Sequence, residues 1–390
     1  MLKEKYKELR KFKEENLKSL INIASVMVDK YPDTPDDLIA GDLGQYQQAL
    51  IAFGEKLEKE FALYDSPYIK TLEGCCEDLF NYSEGKGKEY LSELKEKLIL
   101  LDKELDDDNL NKSYYTSIVL IAKDEERYIR EWLEYHRMVG IDHFYIYDNE
   151  SQPSFKRILE KYIDSGLVTY IDYPGKLMQM NAYNHALKYF KFETEYMAFI
   201  DADEFLVPVK FKTIPEEIDF IISHYSKRKF KVDWEPGGIA VNWRWYGSSY
   251  HRKKQEGLLI ENYIYRAEDD YDQNAHVKTI CNPRLAIAFE GHPHSCTYQK
   301  GYFNISEMGS YVPGAFFYDS SCSHLRINHY HMKSEEEFIE KWHRGWPDRV
   351  RTFDDDEQLR RDFRAEEEEC NKIKDDIMQK YVDELKKRIV

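Results

Sequence analysis

The chain contains no uninterrupted apolar stretch approaching the ~20 residues that a helix needs to cross a bilayer. Its first residues do not show the charged and apolar pattern of a signal peptide. The six cysteines include no C-x-x-C pair and no regular spacing, so a disulfide framework is not predicted. Together these absences predict a cytoplasmic protein whose thiols are reduced.

Basic residues are also outnumbered by acidic ones. The chain has 56 Lys and Arg against 73 Asp and Glu, and its net charge is −17. Binding along a nucleic-acid backbone requires a cationic surface, so we expect no nucleic-acid partner. A protein of this charge that handles an anionic nucleotide needs local compensation, which a divalent cation would supply. The chain is long enough to bury one large core or two ordinary ones.

Residues 1–110 are rich in Lys, Glu and Leu and predict an N-terminal helical region. Amphipathic helices are predicted at 3–29, 44–62 and 87–106. The first 18 residues carry seven Lys or Arg against four Glu. This pattern fits a solvated helix face, with peripheral contact with an anionic membrane as the alternative. The run Asp106-Asp107-Asp108-Asn109 predicts a linker.

From residue 111 onward, short apolar runs alternate with helical patterns. Strands are predicted at 115–122, 143–147, 167–172 and 196–200, and helices at 124–139, 153–165 and 178–190. Such alternation is typical of an α/β fold with a mostly parallel sheet flanked by helices. We assign this domain to 111–332 and a charged C-terminal helical extension, read as solvated helix faces, to 333–390. The first turn lacks G-x-G-x-x-G, which disfavours a dinucleotide-binding domain.

Polar clusters follow three of the predicted strands, at 123–125, 148–149 and 201–203. Ligands bind beyond the carboxyl ends of parallel strands, so these clusters predict one shared site. Asp201 and Asp203 are two residues apart and point to the same side of an extended chain. Two such carboxylates need a neutralising charge and suit Mn²⁺ or Mg²⁺ shared with a substrate diphosphate. The alternative is an acidic surface turn.

Aromatic and basic residues after position 240 supply further candidates. Trp243, Trp245 and Tyr246 can form a stacking platform for a sugar ring, or equally belong to a core strand. Seven of the twelve histidines lie between 276 and 343, and a neutral imidazole is a suitable third ligand for Mn²⁺. Lys278 is a candidate to neutralise a diphosphate, as are three arginines, at positions 244, 266 and 284.

Taken together, the motifs resemble those of the family 92-like glycosyltransferases and their bacterial family 2-type relatives. The resemblance covers residues 114–346. The motifs that carry it, in chain order, are Lys123-Asp-Glu125 with Tyr128 to Trp132 and His136, Tyr147-Asp-Asn149 with Ser151, Asp201-Ala-Asp-Glu-Phe205, Asn242-Trp243 with Gly247-Ser248, His276-Val-Lys-Thr-Ile280 with Pro283, Pro293-His294, Asn328-His-Tyr330, Lys333-Ser334, Glu336-Glu337-Phe338 and Arg344-Gly345.

The resemblance implies a GT-A fold and a metal-dependent transferase that uses a nucleotide sugar. By the family's pattern, Lys123, Asp124, Glu125 and Asp148 lie near the nucleoside, and Asp201 and Asp203 near the metal and the ribose. Both aspartates are implied as metal ligands, and the histidine that completes the metal shell is His329, with His294 as second choice. Asp124 stands where relatives often have Asn. UDP-galactose or UDP-glucose is the donor expected by family analogy, and the acceptor a polysaccharide, a lipid-linked oligosaccharide or a protein glycan.

The reaction implied is an inverting displacement at the anomeric carbon, in which a carboxylate accepts the proton of the acceptor hydroxyl. The candidate bases follow the Trp-rich segment, with Glu268 and Asp270 preferred and Asp269 and Asp272 beside them; a solvated acidic loop is the alternative. Asp233 and Glu235 are further candidates. A nucleotidyltransferase would also use paired carboxylates, but the turn Lys123-Asp-Glu-Glu is too acidic for its phosphate loop. The third hypothesis is a carbohydrate-binding protein that keeps the fold without the chemistry.

Overall fold

The computed structural model describes residues 2–31, 33, 35, 37–61, 67–106, 114–225, 235–319, 321–344 and 355–389. The chain divides into two units, Met1–Ser113 and Tyr114–Val390. The predicted boundary at residues 110–111 and the predicted linker after Asp106 lie outside the described residues. The boundary at 332–333 stays a prediction.

The first unit contains four described helices, α1 (Leu2–Lys30), α2 (Asp37–Phe61), α3 (Pro67–Ser83) and α4 (Glu89–Asp106). Leucines of several helices form its core, and Leu17, Leu50 and Leu94 are fully buried. The sequence did not predict α3, whose Gly74 and adjacent cysteines weaken helix propensity, whereas tertiary burial of its apolar face compensates. None of the described helices is both long and apolar enough to cross a membrane.

The second unit is built on a central sheet of ten strands. Its strands and the shorter ones outside it are β1 (Tyr114–Ala122), β2 (His143–Asp148), β3 (Val168–Asp172), β4 (Thr194–Phe199), β5 (Glu204–Pro208), β6 (Glu235–Trp245), β7 (Tyr265–Arg266), β8 (Val277–Cys281), β9 (Ala286–Phe289), β10 (Cys296–Tyr298), β11 (Tyr302–Ser306), β12 (Tyr311–Val312), β13 (Leu325–His329) and β14 (Ile373–Lys374). Its helices are α5 (Ile129–Met138), α6 (Lys156–Asp164), α7 (Gln179–Phe190), α8 (Ile214–Tyr225), α9 (Leu259–Asn262), α10 (Glu335–Arg344), α11 (Asp356–Cys370) and α12 (Gln379–Ile389).

The predicted α/β architecture is confirmed. Strands β3, β2, β1 and β4 are neighbours in that order and run parallel, as the alternating pattern requires. Beyond β4 the sheet becomes mixed, because β8 lies antiparallel between β4 and β6. Strand β13 pairs with the end of β6 in parallel and with β5 in the antiparallel sense. This arrangement brings His329, at the end of β13, to the edge of the sheet where the acidic motif lies.

The helix predicted to begin at residue 124 begins only at Ile129. Asp124 has a φ of +52°, the left-handed region, which a continuous helix cannot contain. The backbone N–H groups of Tyr128 and Ile129 instead bond to the carbonyl oxygen of Glu125. Residues 123–125 therefore form a turn at the carboxyl end of β1 and not the first turn of a helix.

The C-terminal helices pack into the second unit. Strand β14 pairs with β7, and Asn371 accepts a hydrogen bond from the Ser249 N–H at 3.0 Å. Glu367 accepts hydrogen bonds from Ser248 and, at 2.6 Å, from Arg252. The prediction that the charges of 333–390 are simply solvated was therefore wrong for residues such as Glu367, which is 8% exposed.

Candidate functional site

A cavity of about 520 Å³ opens at the carboxyl ends of the parallel strands. It brings together the ends of β1, β2 and β4 with residues of β6, β8, β13 and α10. The lining residues that matter below are Lys123, Glu125, Asn149, Gln179, Asp201, Asp203, Trp243, Trp245, Lys278, His294, His329, His331, Lys341 and Arg344. The convergence of polar clusters that the sequence predicted is thus present, and one cavity contains members of all three.

Asp201 is held by neighbours on two other elements. Its Oδ2 lies 2.9 Å from Lys278 Nζ, and its Oδ1 accepts hydrogen bonds from Gln179 Nε2 at 2.7 Å and Tyr183 OH at 3.1 Å. Burial opposes the charge on Lys278, yet Asp201 and Glu204 raise the pKa of Lys278 above its ordinary value. The ion pair fixes the orientation of Asp201 towards the cavity.

Asp203 has different neighbours. Its Oδ2 lies 2.6 Å from Lys341 Nζ, and its Oδ1 lies 3.5 Å from His329 Nε2. Burial would raise the pKa of Asp203, but Lys341 and His329 outweigh it and hold the pKa well below its usual range. Burial lowers the pKa of His329 although Asp203 opposes this, so the ring is neutral at pH 7. An ionised carboxylate thus faces a neutral imidazole.

This pair fits a divalent cation in its chemistry. Mn²⁺ accepts both carboxylate oxygen and neutral imidazole nitrogen as ligands. Within the described ranges, no group of three or more His, Cys, Asp or Glu is arranged to hold a metal ion. Asp203 and His329 would therefore hold an ion only together with other ligands, such as diphosphate oxygens and water, which is the way Mg²⁺ is commonly bound in phosphate-handling sites.

The residues of the turn after β1 have two different roles. Lys123 and Glu125 line the cavity, and Glu125 Oε1 accepts a hydrogen bond from Arg344 at 2.7 Å. Asp124 instead braces the loop after β2, since its Oδ1 accepts from the Gln152 N–H at 2.7 Å and its own N–H donates to Ser151. Asp124 lines an adjoining cavity of about 300 Å³.

Asp148 is not among the residues that line the larger cavity, in contrast to its predicted place near the nucleoside. Its carboxylate accepts hydrogen bonds from the Ser151 N–H at 2.9 Å, from Ser154 at 3.1 Å and from Tyr170. The next residue, Asn149, lines the cavity in its place, because successive side chains of a strand point to opposite sides. Asp148 therefore stabilises the loop that carries Asn149.

Of the predicted aromatic platform, Trp243 and Trp245 line the cavity, with ring centroids 5.6 Å apart. Tyr246, which directly follows the last residue of β6, does not line the cavity and is fully buried. Its hydroxyl accepts a hydrogen bond from Arg326 at 3.1 Å. Placing Tyr246 in the platform was therefore wrong. Trp245 Nε1 donates to Glu366 Oε1 at 2.9 Å, which fixes the plane of the indole.

The other predicted groups are dispersed. Glu268 and Asp270 are exposed, and neither lines the cavity; Asp233 lies outside the described residues. Of the four residues predicted to neutralise a diphosphate, Lys278 lines the cavity and the three arginines do not. The arginines pair with carboxylates elsewhere in the second unit: Arg244 with Asp269, Arg266 with Asp269 and Asp375, and Arg284 with Glu195.

His294 lies on the cavity wall, with its Nδ1 3.0 Å from the Val277 carbonyl oxygen and its ring centroid 5.3 Å from that of Trp243. Burial, aided by Lys278 and His276, lowers the pKa of His294 to about 2. His329, and not His294, is the histidine that lies beside Asp203.

Sequence reasoning missed the residues that the C-terminal helices supply. Lys341 and Arg344 of α10 line the cavity, and Glu366 of α11 contacts it through Trp245. The charged composition of this region suggested solvent exposure. The available signal was the spacing of Phe338, Lys341 and Arg344, which at intervals of three residues share one helix face.

A model of glycosyltransferase family 92 matches residues 118–388. A family 92 protein of Oryza sativa subsp. japonica is 29% identical over 96 residues, which is 24% of this chain and 16% of that protein. One of Ricinus communis is 27% identical over 95 residues, 24% of this chain and 17% of that protein. The matched segment thus spans about a sixth of these curated relatives.

Two solved structures show a weak likeness. They are Staphylococcus aureus TarS 1–349 in complex with UDP (TM-score 0.30, 16% identity, 44% of this chain and 47% of that chain) and Mycobacterium tuberculosis glucosyl-3-phosphoglycerate synthase with Mn²⁺, UDP and glucosyl-3-phosphoglycerate (TM-score 0.21, 19% identity, 34% and 44%). The family match runs past residue 346, where the sequence motifs end, and includes α10 and α11.

Proposed function

Because this chain belongs to glycosyltransferase family 92, we propose that it transfers a sugar from a nucleotide-sugar donor to a hydroxyl group of an acceptor. The observation that carries the proposal is the joint presence of Asp201, Asp203 and His329 with Trp243 and Trp245 in one cavity at the sheet edge. Carboxylates and imidazole suit a metal–diphosphate complex, and indole faces suit sugar rings.

We assign the metal-binding part of the site to Asp203 and His329, with Mn²⁺ or Mg²⁺ as the ion. When bound, the ion would neutralise the charge that develops on the departing nucleoside diphosphate. Asp201 stays ion-paired with Lys278 at 2.9 Å, which keeps its carboxylate oriented beside the ribose and the metal.

The nucleoside end of the cavity is assigned to Lys123, Glu125, Asn149 and Gln179, which line it at the ends of the parallel strands and the start of α7. Asn149 is held by hydrogen bonds from its Nδ2 to the carbonyl oxygens of Tyr173 at 2.8 Å and Gly175 at 2.9 Å. A rigid amide at this position orients the base without a large rearrangement. The donor we propose, on the family analogy, is a UDP-hexose.

In the proposed reaction the acceptor oxygen forms a bond to the anomeric carbon while the bond to the diphosphate oxygen breaks. Attack opposite the leaving group inverts the anomeric centre, and the hydroxyl proton passes to a base. Glu268 and Asp270 are poorly placed to be that base, because both are exposed and neither lines the cavity. Trp243 and Trp245 would exclude water from one side of the sugar.

The acceptor we propose is a glycan or a lipid-linked glycan in the cytoplasm, with peripheral membrane contact through the N-terminal helices as a further hypothesis. A nucleotidyltransferase is less well supported. The turn after β1 would have to bind phosphates, yet Asp124 and Glu125 make it acidic, and the Asp124 backbone carbonyl and Glu125 are already bound by Arg344.

The test is calorimetric titration of UDP and a panel of nucleotide sugars, with and without Mn²⁺, followed by transfer of a labelled sugar. We expect binding that requires the metal and is lost in Asp203→Asn, which keeps the side-chain shape. The matched control is Asp362→Asn, which removes an exposed carboxylate from α11. Absence of nucleotide binding under every condition, or transfer that survives in Asp203→Asn, would contradict the proposal.

A further inference from the structure

Lys341 lies where it competes with a metal ion for Asp203. Its Nζ is 2.6 Å from Asp203 Oδ2 and 3.4 Å from the His331 carbonyl oxygen, and its side chain is 14% exposed. The Asp203 side chain is 11% exposed, so solvent screens this pair only weakly. In the absence of ligands, Lys341 is the counter-ion of the carboxylate assigned above to the metal.

An ammonium group and a divalent cation cannot both remain on one buried carboxylate at little cost. Like charges a few ångströms apart repel strongly in a partly desolvated site. An ion that binds Asp203 and His329 must therefore displace Lys341 or bind weakly beside it. A lysine can move, because its ammonium is carried on a flexible four-carbon stem.

The groups around Lys341 determine where its ammonium can move when it leaves Asp203. Lys341 and Arg344, one helical turn apart on α10, both line the larger cavity and the adjoining smaller one. Arg344 is bound to Glu125 and to the Asp124 carbonyl oxygen at 2.9 Å. A diphosphate in the larger cavity supplies negative charge beside Asp203, which attracts the released ammonium.

We propose that Lys341 is an exchangeable counter-ion, which pairs with Asp203 in the free protein and with the nucleoside diphosphate in the donor complex. This inference rests on the proposed function and deepens it. It makes metal and nucleotide binding cooperative, since the metal alone must displace Lys341 without compensation. With the diphosphate present, the displaced ammonium gains a new anion. By linkage, each ligand strengthens the other by the same factor.

The test measures Mn²⁺ binding by electron paramagnetic resonance, with and without UDP, in the wild type and in Lys341→Met. Without UDP, we expect Lys341→Met to bind Mn²⁺ about tenfold more tightly or more, because a competing charge at close range is removed. The factor by which UDP strengthens Mn²⁺ binding should be clearly smaller in this variant than in the wild type; the part that remains comes from diphosphate oxygens acting as metal ligands. Lys341→Arg, which restores the charge, should return Mn²⁺ binding in the absence of UDP to the weak level of the wild type.

The matched control is Lys254→Met. Lys254 lies outside α10 and pairs with Glu340 of that helix at 2.6 Å. It does not contact Asp203, so removing its charge tests the effect of net charge alone. Melting temperatures identify any variant that fails to fold. The inference would be overturned if the wild type and Lys341→Met had the same Mn²⁺ affinity and the same strengthening of Mn²⁺ binding by UDP. In that case, binding of UDP with Mn²⁺ by the wild type would still support the proposed function. Absence of UDP binding in all proteins would overturn both.

Discussion

At the scale of single residues, the site is organised by two carboxylates with separate partners. Asp201 pairs with Lys278 of β8, and Asp203 with Lys341 of α10 and His329 of β13. Buried charges are tolerated only when they are paired, and the two lysines meet this need from different elements. The aspartates are thus held in distinct environments despite standing two positions apart in the sequence.

Removing the buried cation should strongly destabilise the second unit. Lys278 is 1% exposed, and Lys278→Met leaves the Asp201 carboxylate without its counter-charge. The Asp201 side chain is 32% exposed and solvent screens part of the interaction, so we expect a loss of about 1–3 kcal/mol in the free energy of unfolding, measured by urea denaturation. The double variant with Asp201→Asn should recover part of this loss. A cost below ~1 kcal/mol would show that the pair is not desolvated as described.

A buried histidine predicts a specific pH dependence. Burial lowers the pKa of His136 to about 3, its Nδ1–H donates to the Trp132 carbonyl oxygen, and its Nε2 accepts from the Leu206 N–H. Below pH ~6.5 the imidazole of His136 binds a proton in the unfolded state but not in the native state. The contribution of His136 to the free energy of unfolding is therefore complete above that pH and falls as the pH drops towards 3.

His136→Asn should remove this dependence. The free energy of unfolding is measured at pH 7, 6, 5 and 4 for the wild type and for His136→Asn. Below pH 6 the wild type should show a slope steeper by about 1.4 kcal/mol per pH unit, the value for one proton. Equal slopes in the two proteins would mean that His136 is protonated in the native state.

At the scale of elements, the C-terminal helices are components of the site. Helix α10 supplies Lys341 and Arg344 to the cavity, and α11 holds the indole of Trp245 through Glu366. The loop after β6 fits closely against the end of α11. A Cβ placed on Gly247 would meet Asn371 Oδ1 and would lie 2.6 Å from the Cys370 carbonyl oxygen.

This close approach predicts that Gly247→Ala is destabilising. Backbone atoms cannot move aside as a flexible side chain does, so we expect a cost of about 1–3 kcal/mol and faster proteolysis within α11. The control is Gly314→Ala, where an added Cβ meets nothing within 4 Å. Thermal unfolding and limited proteolysis of both variants check this, and equal behaviour would contradict the packing of α11 on the loop.

At the scale of the whole molecule, the cavity belongs entirely to the second unit. Every residue that lines it lies between 121 and 344, and the second unit begins at Tyr114. The first unit has a separate core of its own leucines. The cavity and the core of the N-terminal helices are therefore built from separate sets of residues.

A fragment of residues 111–390 should consequently fold and bind UDP with Mn²⁺ with an affinity within about twofold of the full chain. Circular dichroism checks its fold, and calorimetry checks its binding. If the fragment is folded but does not bind UDP that the full chain binds, the first unit must contribute to the site.

Much of the fold was predictable because its determinants are local. The alternating strand and helix patterns predicted β1 to β4 in parallel, and the position of Asp201 and Asp203 directly after a buried strand predicted where the site lies. The spacing of apolar residues and the polar residues that follow a strand are properties of nearby positions in the chain, so they can be read from the sequence alone. The motif order from Lys123 onward was likewise sufficient for the resemblance that the family match bears out.

The tertiary structure decided which candidate side chains meet. It turned Asn149 and not Asp148 to the cavity, buried Tyr246, and brought Lys341 to Asp203 across 138 positions of sequence. Such encounters depend on strand order and helix packing, which no local pattern encodes. The sequence by itself therefore determined the architecture and the acidic motif, whereas only the fold determined which partners pair with each carboxylate and orient it.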